Sequence, residues 1–72
     1  MLSFRIVDSA TIEIDCDAAG MATLMGALAK LVGERASHVH LCAPPRGKAL
    51  SDETIHGEPA ATEVIINYAE GD

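Results

Sequence analysis

Polar and apolar residues alternate from the first positions of the chain. Over 2–7, Leu2, Phe4 and Ile6 fall on one side of an extended segment, and Ser3, Arg5 and Val7 on the other. Asp8-Ser9 interrupts the run with turn chemistry. Over 11–16 the alternation resumes, with Ile12, Ile14 and Cys16 opposite Thr11, Glu13 and Asp15. The two runs predict a β-hairpin with one wet face. The period then lengthens. Asp17 suits a helix N-cap. Met21, Leu24, Met25, Leu28, Leu31 and Val32 recur at helical spacing, which predicts an amphipathic helix over about 18–32 with Gly33 as its C-cap.

A third strand is predicted over 37–43, where His38, His40 and Cys42 share one side and Val39, Leu41 and Ala43 the other. Pro44-Pro45 stops it, since proline donates no ladder hydrogen bond. Residues 44–60 form a long connection. Leu50 and Ile55 are its expected tethers, and Ser51-Asp52-Glu53 the seed of a single helical turn. A connection of this length is unusual and is often functional. The last strand falls over 62–68, and Glu70-Gly71-Asp72 reads as a polar tail.

The order is ββαββ, an α+β domain occupying 1–72. It is expected to form a four-stranded, mostly antiparallel sheet with one helix packed on one face. The preferred strand order is 2-1-3-4. The expected core is Leu2, Phe4, Ile6, Ile12, Ile14, the helix stripe, Val39, Leu41, Val64 and Ile66. The rest of the helix surface is small: Ala18, Ala19, Ala22, Thr23, Gly26, Ala27 and Ala29, with Lys30 its one charge before residue 33. Gly26 costs about 1 kcal/mol relative to alanine in a helix interior, and close approach of another backbone is one account of it.

Charge and composition narrow the function classes. The chain has 72 residues and a net charge of −6, with 11 acidic and 5 basic side chains. The few cations are scattered, and the only aromatics of the Phe, Trp and Tyr class are Phe4 and Tyr68. Neither nucleic-acid nor membrane-surface binding is expected. No segment approaches a membrane span, and no signal peptide is recognisable in Met1-Leu2-Ser3-Phe4-Arg5. Two cysteines make no disulfide framework, so the expected compartment is the cytoplasm, with reduced thiols.

The candidate chemistry lies on the sheet face away from the helix. That face is expected to carry Ser3, Arg5, Glu13, Asp15, His38, His40, Cys42, Glu63 and Asn67. His38, His40 and Cys42 offer ligands that a divalent metal accepts. Spaced about 6–7 Å apart along one strand, they need a further ligand from a neighbouring strand to close a coordination sphere. A surface that meets another protein is the preferred reading, with Glu13, Asp15, His38, His40, Arg46, Lys48 and Glu63 as its residues; the metal site is the alternative. Cys42 and His40 on an open strand have no pocket in which to act as a nucleophile and base. No catalytic residue and no cofactor is expected.

Several segments together carry a family resemblance: Thr11-Ile12-Glu13-Ile14 before a leucine-bearing helix, His38-Val39-His40-Leu41, Gly47-Lys48-Ala49-Leu50-Ser51, and Glu63-Val64-Ile65-Ile66-Asn67-Tyr68. Across most of its length the chain resembles the small α+β immunity proteins of bacterial polymorphic toxin systems, in particular immunity family thirty-two. The resemblance implies a non-catalytic inhibitor that binds and neutralises a cognate toxin domain by surface complementarity. Acidic residues such as Glu13, Asp15, Glu53, Glu58 and Glu63 would meet a basic toxin face, with the 44–60 loop entering a cleft. A homodimer, through the open sheet face or the small-residue helix face, is a further possibility left open by the residues.

Overall fold

A computed structural model describes residues 1–35 and 37–69; the expected polar tail 70–72 lies outside the described residues. The element order is β1 (Leu2–Asp8), β2 (Thr11–Cys16), α1 (Ala18–Glu34), β3 (His38–Cys42) and β4 (Glu63–Asn67). The α+β class and the ββαββ order are those expected from the pattern.

The four-stranded sheet is replaced by two antiparallel pairs, β1–β2 and β3–β4. No β1–β3 pairing occurs among the described residues, so the expected order 2-1-3-4 does not form. The long connection takes the place of that pairing. Ser51 N–H donates to the Leu2 carbonyl at 2.8 Å, and Ala61 N–H to the Phe4 carbonyl at 2.8 Å. Leu50 N–H reaches back to the Cys42 carbonyl, and Ala43 N–H to that of Thr62. The connection thus lies along β1 and ties the two hairpins together.

The β1–β2 register pairs Leu2 with Cys16, Phe4 with Ile14 and Ile6 with Ile12. A bulge between Ile6 and Asp8 precedes the turn, where Asp8 Oδ1 accepts from Ala10 N–H at 2.8 Å. Burial fades along both strands toward that turn. The turn end of the hairpin therefore projects beyond the core. Ile6, Ile12 and Ile14, expected inside, are exposed, Ile6 at 73%.

Helix α1 begins as expected: Asp17 accepts from Gly20 N–H at 2.8 Å. It runs through Gly33 and ends where Arg35 takes a left-handed conformation, φ 53°. The C-cap is therefore Arg35 and not Gly33.

The helix also presents an unexpected face to the core. Gly20, Ala27 and Leu31 are buried and Leu24 is half-buried, while Met21, Met25, Leu28 and Val32 are exposed. The cause is how near the chain's first residues come. A Cβ placed on Gly20 would lie 1.7 Å from the Met1 carbonyl oxygen. At that approach only glycine fits, so the face through Gly20, Leu24, Ala27 and Leu31 turns inward and the stripe through Met21, Met25, Leu28 and Val32 turns to the flank.

The resulting core is small. Leu2, Ala27, Leu41, Ala43 and Leu50 cluster at its centre, with Phe4, Cys16, Leu24, Val39, Ala49, Val64 and Ile66 packed against them. Leu50 is the loop's buried anchor, but Ile55 is exposed. Thr54 is the second anchor. It is buried, accepts from His56 N–H and Glu58 N–H through Oγ1, and exchanges backbone bonds with Glu58 and Gly57. The helical turn expected at 51–53 does not form. Ser51 instead closes a local turn, its hydroxyl donating to the Glu53 carbonyl at 2.7 Å and accepting from Glu53 N–H.

Candidate polar recognition surface

Period-two geometry places polar residues of both hairpins on the sides turned from the core. In β3–β4, His40 pairs with Ile65 and Cys42 with Glu63, so these four share a face, while Val39, Leu41, Val64 and Ile66 face inward. The diagonal neighbours on the outer face make the contact: His40 Nδ1–H donates to Glu63 Oε2 at 2.8 Å. Arg46, just past the double proline, donates to Glu63 Oε1 at 3.4 Å. Cys42 Sγ lies 3.9 Å from Glu63 Oε2. Glu63 is thus the centre of a small polar cluster. The hydrogen bond from His40 and the positive field of Arg46 hold its carboxyl below the usual carboxylate range.

A second cluster forms on β1–β2. Arg5 Nε lies 3.5 Å from Glu58 Oε1 and 3.8 Å from Glu13 Oε1. The pairing Arg5–Glu13 follows from the strand register. Glu58 arrives from the loop, and no local sequence pattern signals it. The loop also covers ground that strand alternation marks as open. Ser3, expected on the open face, is only 1% exposed. Three buried side-chain polar atoms here have no hydrogen-bond partner: Ser3 Oγ, Arg5 Nε and Asp15 Oδ2.

The remaining expected site residues are spread apart. His38 turns Nδ1 to the Ser37 hydroxyl at 3.0 Å and packs edge-on against His40, ring centres 4.9 Å apart. Lys48 is exposed and makes no ion pair among the described residues. Among those residues, no three His, Cys, Asp or Glu side chains are gathered so as to hold a metal ion. The alternative ligand set His38, His40 and Cys42 is therefore in line on the strand but does not converge. Cys16 and Cys42 are free thiols.

A groove lies between the end of α1 and the start of β3, lined by Lys30, Leu31, Glu34, His38 and Val39. At about 190 Å³ it falls below the volume that ligand sites usually have, about 300 Å³ or more. No helix among the described residues is long and apolar enough to cross a membrane.

Comparison with protein-family models, with curated proteins and with solved structures gives no match to this chain.

Proposed function

We propose that this protein is a non-catalytic binding module that recognises another protein through the outer faces of its two hairpins. The observation that carries the proposal is the Glu63 cluster. It is a half-exposed carboxylate, held ionised and fixed in place by His40 and Arg46 on the outer face of β3–β4. Fixed charge on an open surface suits complementary docking, where it raises association rate and selectivity. The family resemblance gives the proposal its specific form, an immunity protein that neutralises a cognate toxin domain.

Internal pairing redistributes the acidic docking residues. Glu13 and Glu58 spend part of their charge on Arg5, and Glu63 on Arg46. Asp52 and Glu53, on the loop that flanks β1, make no salt bridge among the described residues. They are the acids best placed to meet a basic partner without losing an internal contact.

The test is genetic and then physical. A toxin domain encoded beside this gene is expressed with and without the protein. Restored growth, a one-to-one complex, and weaker binding by Asp52→Lys with Glu53→Lys support the reading. A neighbouring toxin that still kills, or no toxin domain in the neighbourhood, overturns it.

A further inference from the structure

His38 stands outside the Glu63 cluster, yet its ring lies against His40. Both rings are exposed on the outer side of β3. Their centres are 4.9 Å apart and their planes cross at 72°. Backbone spacing alone separates same-face neighbours by about 6–7 Å, so the two side chains lean toward each other.

Hydrogen bonding sorts the ring nitrogens. A carboxylate only accepts, so the 2.8 Å contact with Glu63 Oε2 puts the proton of a neutral His40 on Nδ1 and its lone pair on Nε2. His38 Nδ1 meets the Ser37 hydroxyl at 3.0 Å, and that oxygen can accept from it in the same way. Neither Nε2 has a hydrogen-bond partner among the described residues. A carboxylate that accepts from the far nitrogen is the common support of a metal-ligating histidine, because it fixes the tautomer and raises the basicity of the ligating atom.

Distance agrees with this chemistry. Two imidazoles that hold one ion through nitrogens about 2.0–2.1 Å from it have ring centres about 4.5–5.2 Å apart, for ligand angles between square and tetrahedral. The 4.9 Å separation falls within that range. Glu63 fixes the His40 ring, so the final aiming falls to His38, whose χ2 torsion is broad. Cys42 does not join the pair; its sulfur turns to Glu63 Oε2, 3.9 Å away. Two imidazole nitrogens with water in the other positions suit Ni²⁺ or Cu²⁺ better than zinc, whose structural sites take four protein ligands. The net charge of −6 favours a cation, and Arg46 has its own charge offset by Glu63 at 3.4 Å.

We propose that His38 and His40 form a two-histidine surface site for a late first-row divalent metal ion, bound through the two Nε2 atoms. The inference stands apart from the protein partner proposed above, since the ion alone probes it.

Isothermal titration calorimetry of the full, untagged chain with NiCl₂ tests the proposal; Ni²⁺ is the probe because free thiols such as Cys16 and Cys42 reduce Cu²⁺. The expected result is saturable binding of one ion per chain at submillimolar NiCl₂. In NMR spectra, the paramagnetic ion should broaden the ring signals of His38 and His40 before those of His56. His38→Asn and His40→Asn are each expected to weaken binding by at least about tenfold. His38 is exposed and bonds only to its neighbour Ser37, so the metal-free His38→Asn protein should melt with the wild type. His56→Asn, on the loop, and Cys42→Ser should bind as the wild type does. No saturable binding, or wild-type affinity in either His38→Asn or His40→Asn, overturns the proposal. So does a tenfold loss in His56→Asn or Cys42→Ser.

Discussion

His40 and Glu63 stand diagonally across β3 and β4, and the His40 Nδ1–H bond to Glu63 Oε2 is 2.8 Å long. With Arg46 it keeps the Glu63 carboxyl ionised below its ordinary value of 4.5. Asp17 is held below its ordinary 3.8 in a similar way, first by the chain's terminal ammonium and then by Gly20 N–H. A carboxyl lowered in the folded state adds stability above its unfolded pKa and loses it as pH falls through the folded one. Melting temperature is expected to fall as pH drops below 4.5, with a further decline from Asp17 below 3.8. Thermal melts of Glu63→Gln across acid pH should show a shallower decline over the upper part of that window. Parallel curves for variant and wild type would remove Glu63 from the account.

The helix glycines respond in opposite directions. Gly20→Ala drives a Cβ into the Met1 carbonyl and forces the chain's start away from α1. A loss of about 1–3 kcal/mol is expected, the usual cost of overpacking. At Gly26 an added Cβ meets nothing within 4 Å. Gly26→Ala should therefore stabilise the subunit by about 1 kcal/mol, which raises the melting temperature of a domain this small by about 4–8 °C. Differential scanning calorimetry of the two variants separates these outcomes.

Ser3 buries a hydroxyl whose oxygen has no partner. Removing an unsatisfied buried polar group relieves its desolvation cost. Ser3→Ala is expected to leave stability unchanged or to raise it by about 1 kcal/mol. Urea denaturation measures this directly, and a loss of more than about 1 kcal/mol would mean that an ordered water satisfies the hydroxyl.

Leu50 fixes the connection between the hairpins. Its side chain is buried in the core, and its neighbour Ser51 bonds to Leu2. Leu50→Ala should cost about 2–5 kcal/mol, a large part of the stability of a chain this short. Hydrogen exchange should quicken first at Ser51 and Ala61, whose amides hold β1.

The strands and the helix start were legible because each follows a local rule: alternation over Leu2–Val7 and Thr11–Cys16, and the Asp17 cap. The position of α1 was not legible. Its rotation depends on the Met1 backbone lying against Gly20, a contact between residues far apart in sequence. Periodicity treats Met25 and Leu31 alike, and it offers no sign that one is exposed and the other buried. Of the candidate site, the Arg5–Glu13 pairing and the face shared by His40, Cys42 and Glu63 follow from strand register. The contributions of Arg46 and Glu58 arise from loop paths that no pattern encodes. The same loop covers Ser3, which alternation alone leaves in water.

The loop's two bonds to Leu2 and Phe4 have a consequence for solubility. A strand at a sheet margin invites other chains to pair with it. On the side of β1 away from β2, the carbonyls of Leu2 and Phe4 already accept from Ser51 and Ala61, so this margin is not open to another chain. The free margin of the first hairpin is that of β2, where Glu13 and Asp15 lie among the isoleucines. Carboxylates at that position disfavour edge-to-edge stacking of identical chains. The protein can thus carry an apolar helix flank and a projecting apolar hairpin end while both margins of its first hairpin are guarded against fibril growth.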